Sequence, residues 1–346
     1  MSRPPQAARP RPPAPAGAGA PLRSVVVGTG SAAPARVLTN ADLERMVNTS
    51  DEWIRTRTGI RCRRIAAPDE ATSDLAAAAA RPALEAAGLD PAELELIVVA
   101  TATPDMLFPS TACVLQAKLG AERAAAFDLL AACTGYIYAL QVADGLLRAG
   151  LYRNALVVGA ETLSKVVDFT DRNTCVIFGD GAGATVLVPM AGERGVLSSH
   201  LHADGRYGDL VQIPGGGSRI PASVESVSRR EHFIKMRGNE TYKIAVRRME
   251  ETVLEALAAN RVRPGDVDWV APHQANLRII EAVVERLGIP MEKVILTLEE
   301  YGNTSAACIP MALDLAARDG RLKPGDLVLL VAFGGGLTWG SALLRW

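Results

Sequence analysis

The sequence predicts an α/β protein made of two similar halves, with strands buried on both faces. Two observations carry this. From Ser24 onward, short apolar β-rich runs alternate with longer Ala- and Leu-rich segments, and the order of these elements recurs about 170 residues further on. In the first half, strands are expected at 24–27, 96–100, 125–129, 155–159 and 184–188, with helices over 73–87 and 134–149. In the second half, strands are expected at 233–236, 269–271, 293–296, 327–332 and 341–344, with helices over 241–260, 277–287 and 305–319. The strand at 96–100 then matches 269–271, the turn at Cys133 matches Asn303, and Val158-Gly159 matches Ala332-Phe333. A repeat of this length marks a duplicated domain rather than a solenoid unit. Two copies packed about a pseudo-twofold axis bring equivalent strand ends together. The expected division is a Pro/Ala/Arg-rich tail over 1–22, a first half over 23–192 and a second half over 193–346.

Composition narrows the function classes. Of 346 residues 49% are hydrophobic, enough for a large core. The 37 basic and 38 acidic residues leave a net charge of −1, so no chain-wide field draws it to nucleic acid. Five cysteines, Cys62, Cys113, Cys133, Cys175 and Cys308, form an odd set with no C-x-x-C pair. Neither a disulfide framework nor a zinc site is expected, and a cytoplasmic location fits best. Apolar runs such as 96–100 and 327–333 fall well short of the ~20 residues of a membrane span. Seven prolines in the first 22 residues, with three arginines and no acid, predict a solvated tail without helix or secretory signal.

Four segments could carry chemistry. In Asp128-Leu-Leu-Ala-Ala-Cys-Thr-Gly135 a strand ends on small residues and a helix begins at once. The positive end of that helix favours thiolate at Cys133 below the free value of about 8.5; read alone, a buried core cysteine fits equally well. In Trp269-Val-Ala-Pro-His-Gln-Ala-Asn276, His273 stands at a strand end, able to accept a proton or donate a hydrogen bond, or merely to close the loop. In Tyr301-Gly-Asn-Thr-Ser-Ala-Ala307, Asn303 precedes a helix, where capping is its ordinary use. If the repeat holds, Asn303 faces Cys133 with His273 beside them. The run Ala332-Phe-Gly-Gly-Gly-Leu-Thr-Trp-Gly-Ser341 makes a tight hairpin or lends an amide to an oxyanion hole with that of Cys133.

Other glycine and histidine patterns are set aside. Val26-Val-Gly-Thr-Gly-Ser-Ala-Ala33 has the spacing of a dinucleotide fingerprint, but Pro34 stands where the phosphate-binding helix should be under way. Phe178-Gly-Asp-Gly-Ala-Gly-Ala184 runs into a strand rather than a helix, which indicates close packing, not phosphate binding. His200 and His202 lack a third ligand, so no metal is expected.

Taken together, these segments resemble the beta-ketoacyl-acyl carrier protein synthase III family, priming condensing enzymes of the thiolase fold. The resemblance covers about residues 23–346. It rests on Asp51-Glu-Trp-Ile-Arg-Thr-Arg-Thr-Gly-Ile60, Ala131-Ala-Cys-Thr-Gly135, His273-Gln-Ala-Asn276, Gly302-Asn-Thr-Ser305 and Phe333-Gly-Gly-Gly-Leu-Thr-Trp-Gly340. The Cys-His-Asn set separates it from chain-elongating synthases, which carry Cys-His-His, and from thiolases, which carry a second cysteine where this chain reads Phe333-Gly-Gly-Gly336.

The resemblance implies two duplicated βαβαβαββ-type halves packed as a five-layer αβαβα sandwich. It implies Cys133 as nucleophile, His273 and Asn303 as the decarboxylation pair, and the amides of Cys133 and Gly335 as the oxyanion hole. By the same resemblance Trp53, Arg57, Arg172, Asn239 and Asn276 contact coenzyme A, with Phe333 in the substrate site, and Phe108 is lent by a dimer partner to close a short acyl pocket. Lys243, Arg278 and Arg286 match a basic face that docks an acidic carrier protein, from which Glu285 departs. The implied reaction is condensation of a short acyl-CoA primer with malonyl-acyl carrier protein, by way of an acyl-cysteine, to begin fatty acid synthesis in a homodimer. Coenzyme A thioester is then substrate, and no separate cofactor is implied. The alternatives are a related priming or acyl-transfer enzyme of polyketide or secondary metabolism, and, more remotely, a non-catalytic thiolase-fold structural subunit.

Overall fold

The computed structural model describes residues 20–346. Of the tail expected over 1–22, residues 1–19 lie outside the described residues, and the first strand already begins at Leu22.

Two mixed sheets share one strand order. The first runs Leu22–Ala32, Gly181–Ala191, Ala155–Glu161, Leu96–Ala100 and Ala125–Leu129. The second runs Gly195–Ala203, Thr338–Arg345, Leu327–Gly334 and Trp269–Pro272. The fifth place in the second sheet is held by a single parallel bridge, Val270 to Val294. The expected strand at 293–296 is therefore absent. Its start lies in the 3-10 turn Met291–Lys293, and the Gln274 carboxamide takes the Ile295 carbonyl and the Thr297 and Leu298 N–H groups that would otherwise pair with or flank a ladder. The strand expected at 233–236 shortens to Lys235–Met236 and pairs with Val211–Gln212 outside both sheets.

Helices fill three layers around these sheets. Gly135–Arg148 and Cys308–Arg318 lie between them, and their buried faces, Tyr136, Ile137, Leu140, Ile309 and Leu313 among them, share one core with Val98, Val157, Val328 and Leu330. Thr72–Ala87 and Thr111–Leu119 cover the outer face of the first sheet, and Gly238–Asn260 with Leu277–Leu287 that of the second. The result is the five-layer αβαβα sandwich. The glycines at 28 and 30 belong to this packing: a Cβ on either would stand 2.1 Å from the Ala83 carbonyl oxygen or 2.2 Å from that of Ala79. They let an Ala-rich helix lie directly on the first strand, which accounts for the apparent dinucleotide motif.

The register corrects two of the expected equivalences. Val98 pairs with Val157 and Val270 with Leu329, so the strand anchor holds. Ala100 pairs with Gly159 and Pro272 with Val331, which makes Val331, not Phe333, the counterpart of Gly159. Each central helix is preceded by a 3-10 turn, Ala132–Thr134 or Ser305–Ala307, whose first residue is left-handed (Ala132 φ 44°, Ser305 φ 48°). Ala306, not Asn303, is therefore the counterpart of Cys133.

Candidate active site

Cys133 occupies the middle of its 3-10 turn, at the start of a helix anchored by its buried face. Its N–H is among those a helix start leaves without an intrahelical acceptor. Gly334 lies against it: a Cβ there would stand 2.7 Å from the Cys133 nitrogen and 2.9 Å from its Cβ. The glycine run thus both turns the hairpin between Leu327–Gly334 and Thr338–Arg345 and lets its backbone approach that of Cys133. Burial pushes the Cys133 thiol up to about 11, against a hydrogen bond with the Ser305 side chain that pulls it down. The expected depression by the helix N-terminus is overturned, because desolvation of a thiolate outweighs it here.

His273 follows the strand Trp269–Pro272 and is buried. Its N–H donates to the Val331 carbonyl at 2.7 Å, and its Nδ1 lies 3.0 Å from Cys308 Sγ. Burial pushes its pKa down to about 3, so the imidazole is neutral. The next residue fixes the turn: Gln274 Nε2 donates to the Pro272 and Ile295 carbonyls at 2.9 and 3.0 Å, while its Oε1 accepts from Thr297 and Leu298.

Asn303 is held through its backbone, its N–H donating to the Ile177 carbonyl and its own carbonyl accepting from Gly179, both at 3.0 Å. Its Oδ1 accepts the Ser305 N–H at 2.8 Å. The carboxamide orientation that satisfies this bond leaves Nδ2 as the remaining donor.

Cys133, His273 and Asn303 line one cleft of about 890 Å³, together with Phe333 and Gly335. Trp53, Arg57, Asn239, Lys243, Asn276 and Arg278 line the same cleft. Asn276 is also structural there, capping Leu277–Leu287 through the Arg278 N–H and donating to the Arg57 carbonyl at 2.9 Å. Arg172 stands over the Trp53 ring at 4.9 Å and Arg57 at 5.9 Å, with Arg172 tied to the Asn48 carbonyl. A flat ring stacked between Trp53 and Arg172 needs about 7 Å, twice a ~3.5 Å contact, so Arg172 must swing outward to admit one.

Three expected site residues are not among the cleft lining: Arg172, which reaches it only over Trp53, and two that lie apart. Phe108 does not line the cleft; it is 85% exposed beside Leu107 and Met106, with Leu130 also exposed. Arg286 pairs with Glu250 at 2.8 Å. Sequence reasoning missed Glu161 and Ser305. Glu161, fully buried, accepts from Thr103 Oγ1 at 2.6 Å, Thr101 Oγ1 at 3.2 Å and the Ala102 N–H, and hydrogen-bonds the Ser305 side chain. Burial pushes its carboxyl up to about 7. An acid ending the wholly apolar strand Ala155–Glu161 was the signal available. Among the described residues no group of three or more His, Cys, Asp or Glu side chains is placed to hold a metal ion, and no helix is long and apolar enough to cross a membrane.

Comparison with known proteins places this geometry. Residues 127–205 match the family model 3-oxoacyl-[acyl-carrier-protein] synthase III, and residues 257–346 match its C-terminal counterpart. The chain is 55% identical over 320 residues to a beta-ketoacyl-[acyl-carrier-protein] synthase III of Thioalkalivibrio sulfidiphilus, covering 92% of this chain and 98% of that one. The crystal structure of 3-oxoacyl-[acyl-carrier-protein] synthase III from Aquifex aeolicus superposes with a TM-score of 0.87 at 49% identity, over 93% of this chain and 100% of the other. The priming beta-ketosynthase of the R1128 polyketide pathway also superposes at 0.87, at 36% identity over 96% and 98% of the two chains. Fold and relatives define an acyltransferase of the thiolase-fold condensing class. Within that class the chain belongs to the beta-ketoacyl-[acyl-carrier-protein] synthase III family, whose role is condensation in fatty acid synthesis.

Proposed function

We propose that the enzyme condenses a short acyl-CoA with malonyl-acyl carrier protein through an acyl-cysteine on Cys133. Cys133 sulfur attacks the thioester carbonyl, and the backbone N–H groups of Cys133 and Gly335 hold the oxyanion. The thiol proton leaves with the departing coenzyme A thiolate, giving acyl-enzyme and free coenzyme A. Malonyl-acyl carrier protein then takes the cleft and loses carbon dioxide. Its enolate oxygen accepts hydrogen bonds from the neutral His273 and from Asn303 Nδ2, and its carbon attacks the acyl-cysteine carbonyl, expelling the Cys133 thiolate, which regains its proton from solvent, to give 3-ketoacyl-acyl carrier protein. Two donors at about 2.7–4 kcal/mol each supply roughly 5–8 kcal/mol to the decarboxylation step.

The observation that carries the reading is the convergence of one thiol, one neutral imidazole and one carboxamide with its oxygen already satisfied on a single cleft. Trp53, Arg57, Arg172, Asn239 and Asn276 bind coenzyme A in this reading, with Phe333 against the substrate, and Lys243, Arg278 and Arg286 meet the acidic carrier. The exposed patch of Met106, Leu107, Phe108 and Leu130 supports a homodimer in which Phe108 closes the partner's acyl pocket. The shared strand order of the two sheets supports division near 192/193, and the site requires no metal or added cofactor. A cytoplasmic setting suits both substrates.

Priming of polyketide assembly is the second reading, favoured by the 36% identity to the R1128 enzyme; the 55% identity to the Thioalkalivibrio enzyme favours fatty acid synthesis. Intact mass after mixing with acetyl-CoA tests the core of the proposal. A covalent acetyl group on Cys133, discharged by malonyl-acyl carrier protein, is expected. No adduct with any acyl-CoA would return the chain to a structural role, and competition among acetyl-, isobutyryl- and longer acyl-CoAs reads which primer loads.

A further inference from the structure

We propose that Cys308 is a positioning residue: its S–H donates to His273 Nδ1 and so holds the imidazole as the tautomer whose Nε2 carries the proton. This rests on the role given to His273 above, where only a protonated Nε2 can donate to an enolate oxygen. A neutral imidazole has one N–H, and the group facing its other nitrogen decides which one. Here that group is Cys308 Sγ, 3.0 Å from Nδ1.

The direction of the bond follows from what else surrounds the sulfur. Cys308 is 1% exposed and opens the helix Cys308–Arg318, so backbone N–H groups face it: Gln274 N–H donates to Sγ at 3.4 Å, and the Ile309 N–H hydrogen-bonds it as well. A sulfur already accepting amide protons gains little from a further N–H donated by Nδ1, and that arrangement would strand its own proton. Nδ1 is a good acceptor within reach, and a thiol is a weak donor that needs one. With S–H directed at Nδ1, every polar group of the pair is satisfied and Nε2–H is left for the cleft. Burial keeps Cys308 a thiol, its pKa well above the ordinary range, so the proton to be donated is present. The helix start that carries Cys308 also disfavours imidazolium, as does the burial of His273.

The test uses the full chain labelled with ¹⁵N-histidine, in which only four histidines occur. His273 is assigned by the signal lost in His273→Gln. Two-bond ¹⁵N–¹H couplings in the wild type should show Nε2 protonated and Nδ1 bare. Cys308→Ser, which keeps a donor, should retain that tautomer; Cys308→Ala, or Cys308→Val if the alanine variant is unstable, should shift it towards Nδ1–H. Condensation should fall about tenfold in the alanine or valine variant and be spared in the serine variant, while acetyl loading of Cys133 stays at the wild-type rate in all of them. A wild-type Nδ1–H tautomer overturns the proposal. So does a tautomer unchanged in Cys308→Ala, or a rate loss equal in the serine and alanine variants, either of which assigns Cys308 to packing alone. Failure of the wild type to load acetyl-CoA would instead overturn the functional reading, and the coupling pattern still reports the tautomer.

Discussion

Truncating Asn303 to alanine should separate the two halves of the proposed reaction. The backbone course survives, since the N–H to Ile177 and the carbonyl from Gly179, both at 3.0 Å, do not involve the side chain. Two side-chain interactions are lost. Oδ1 no longer accepts the Ser305 N–H at 2.8 Å, and a buried donor left unpaired costs about 1–3 kcal/mol of stability. Nδ2 no longer reaches the enolate, and one such donor is worth about 2.7–4 kcal/mol, or 10²–10³ in rate. Acylation of Cys133 relies on backbone amides, so it should stay within about threefold of wild type, under ~0.7 kcal/mol. Rapid-quench mass measurement of acetyl loading and release of labelled carbon dioxide from malonyl-acyl carrier protein read the two steps separately, with a thermal melt to register the stability loss. Equal loss in both steps at an intact fold would refute the division of labour.

Three further outcomes are expected. Gly334→Ala places a methyl 2.7 Å from the Cys133 nitrogen and 2.9 Å from its Cβ; the overpacking should cost about 1–3 kcal/mol in the melt and slow acetyl loading, and wild-type loading would remove Gly334 from the account. The ligand-free Cys133 thiol, held at about 11 by burial, stays protonated until high pH, so its alkylation by iodoacetamide should climb about tenfold per pH unit between about pH 8 and 10; a plateau within that range would contradict it. Arg172→Ala should raise KM for acyl-CoA about threefold to tenfold at unchanged kcat, because it removes a cation stacked on Trp53 but touches none of the reacting atoms; an equal fall in kcat would count against a binding role.

Much of the frame was legible because its signals are local. Fully apolar runs such as Leu96–Ala100 and Leu327–Gly334 have the length and composition of strands buried on both faces, and the Ala- and Leu-rich segments between them have the length of helices. The strand Gly195–Ala203 escaped notice because Ser198, Ser199, His200 and His202 make it read as polar, although it pairs along Thr338–Arg345. The run at 293–296 misled in the opposite sense: its apolar residues look like a strand, but a side chain, that of Gln274, takes the backbone groups a ladder would use. The catalytic candidates stood out as motifs, while three of their neighbours did not: the acid ending an apolar strand at Glu161 went unread, Ser305 sat inside a motif read only for Asn303, and nothing near Cys308 in sequence marks it.

The alternation of strands and helices, the presence of two similar halves, and the identity of the thiol, imidazole and carboxamide were legible in residue pattern, because propensity and periodicity act over neighbouring residues; which residues correspond between the halves was not. What those groups are chemically was decided only by folding. A helix N-terminus seen in sequence promises a lowered thiol pKa, yet desolvation by distant segments raises it, and the partner of His273 comes from 35 residues away across the turn. Dielectric surroundings and hydrogen-bond partners are set by what tertiary packing brings alongside, so protonation state and tautomer belong to the three-dimensional structure.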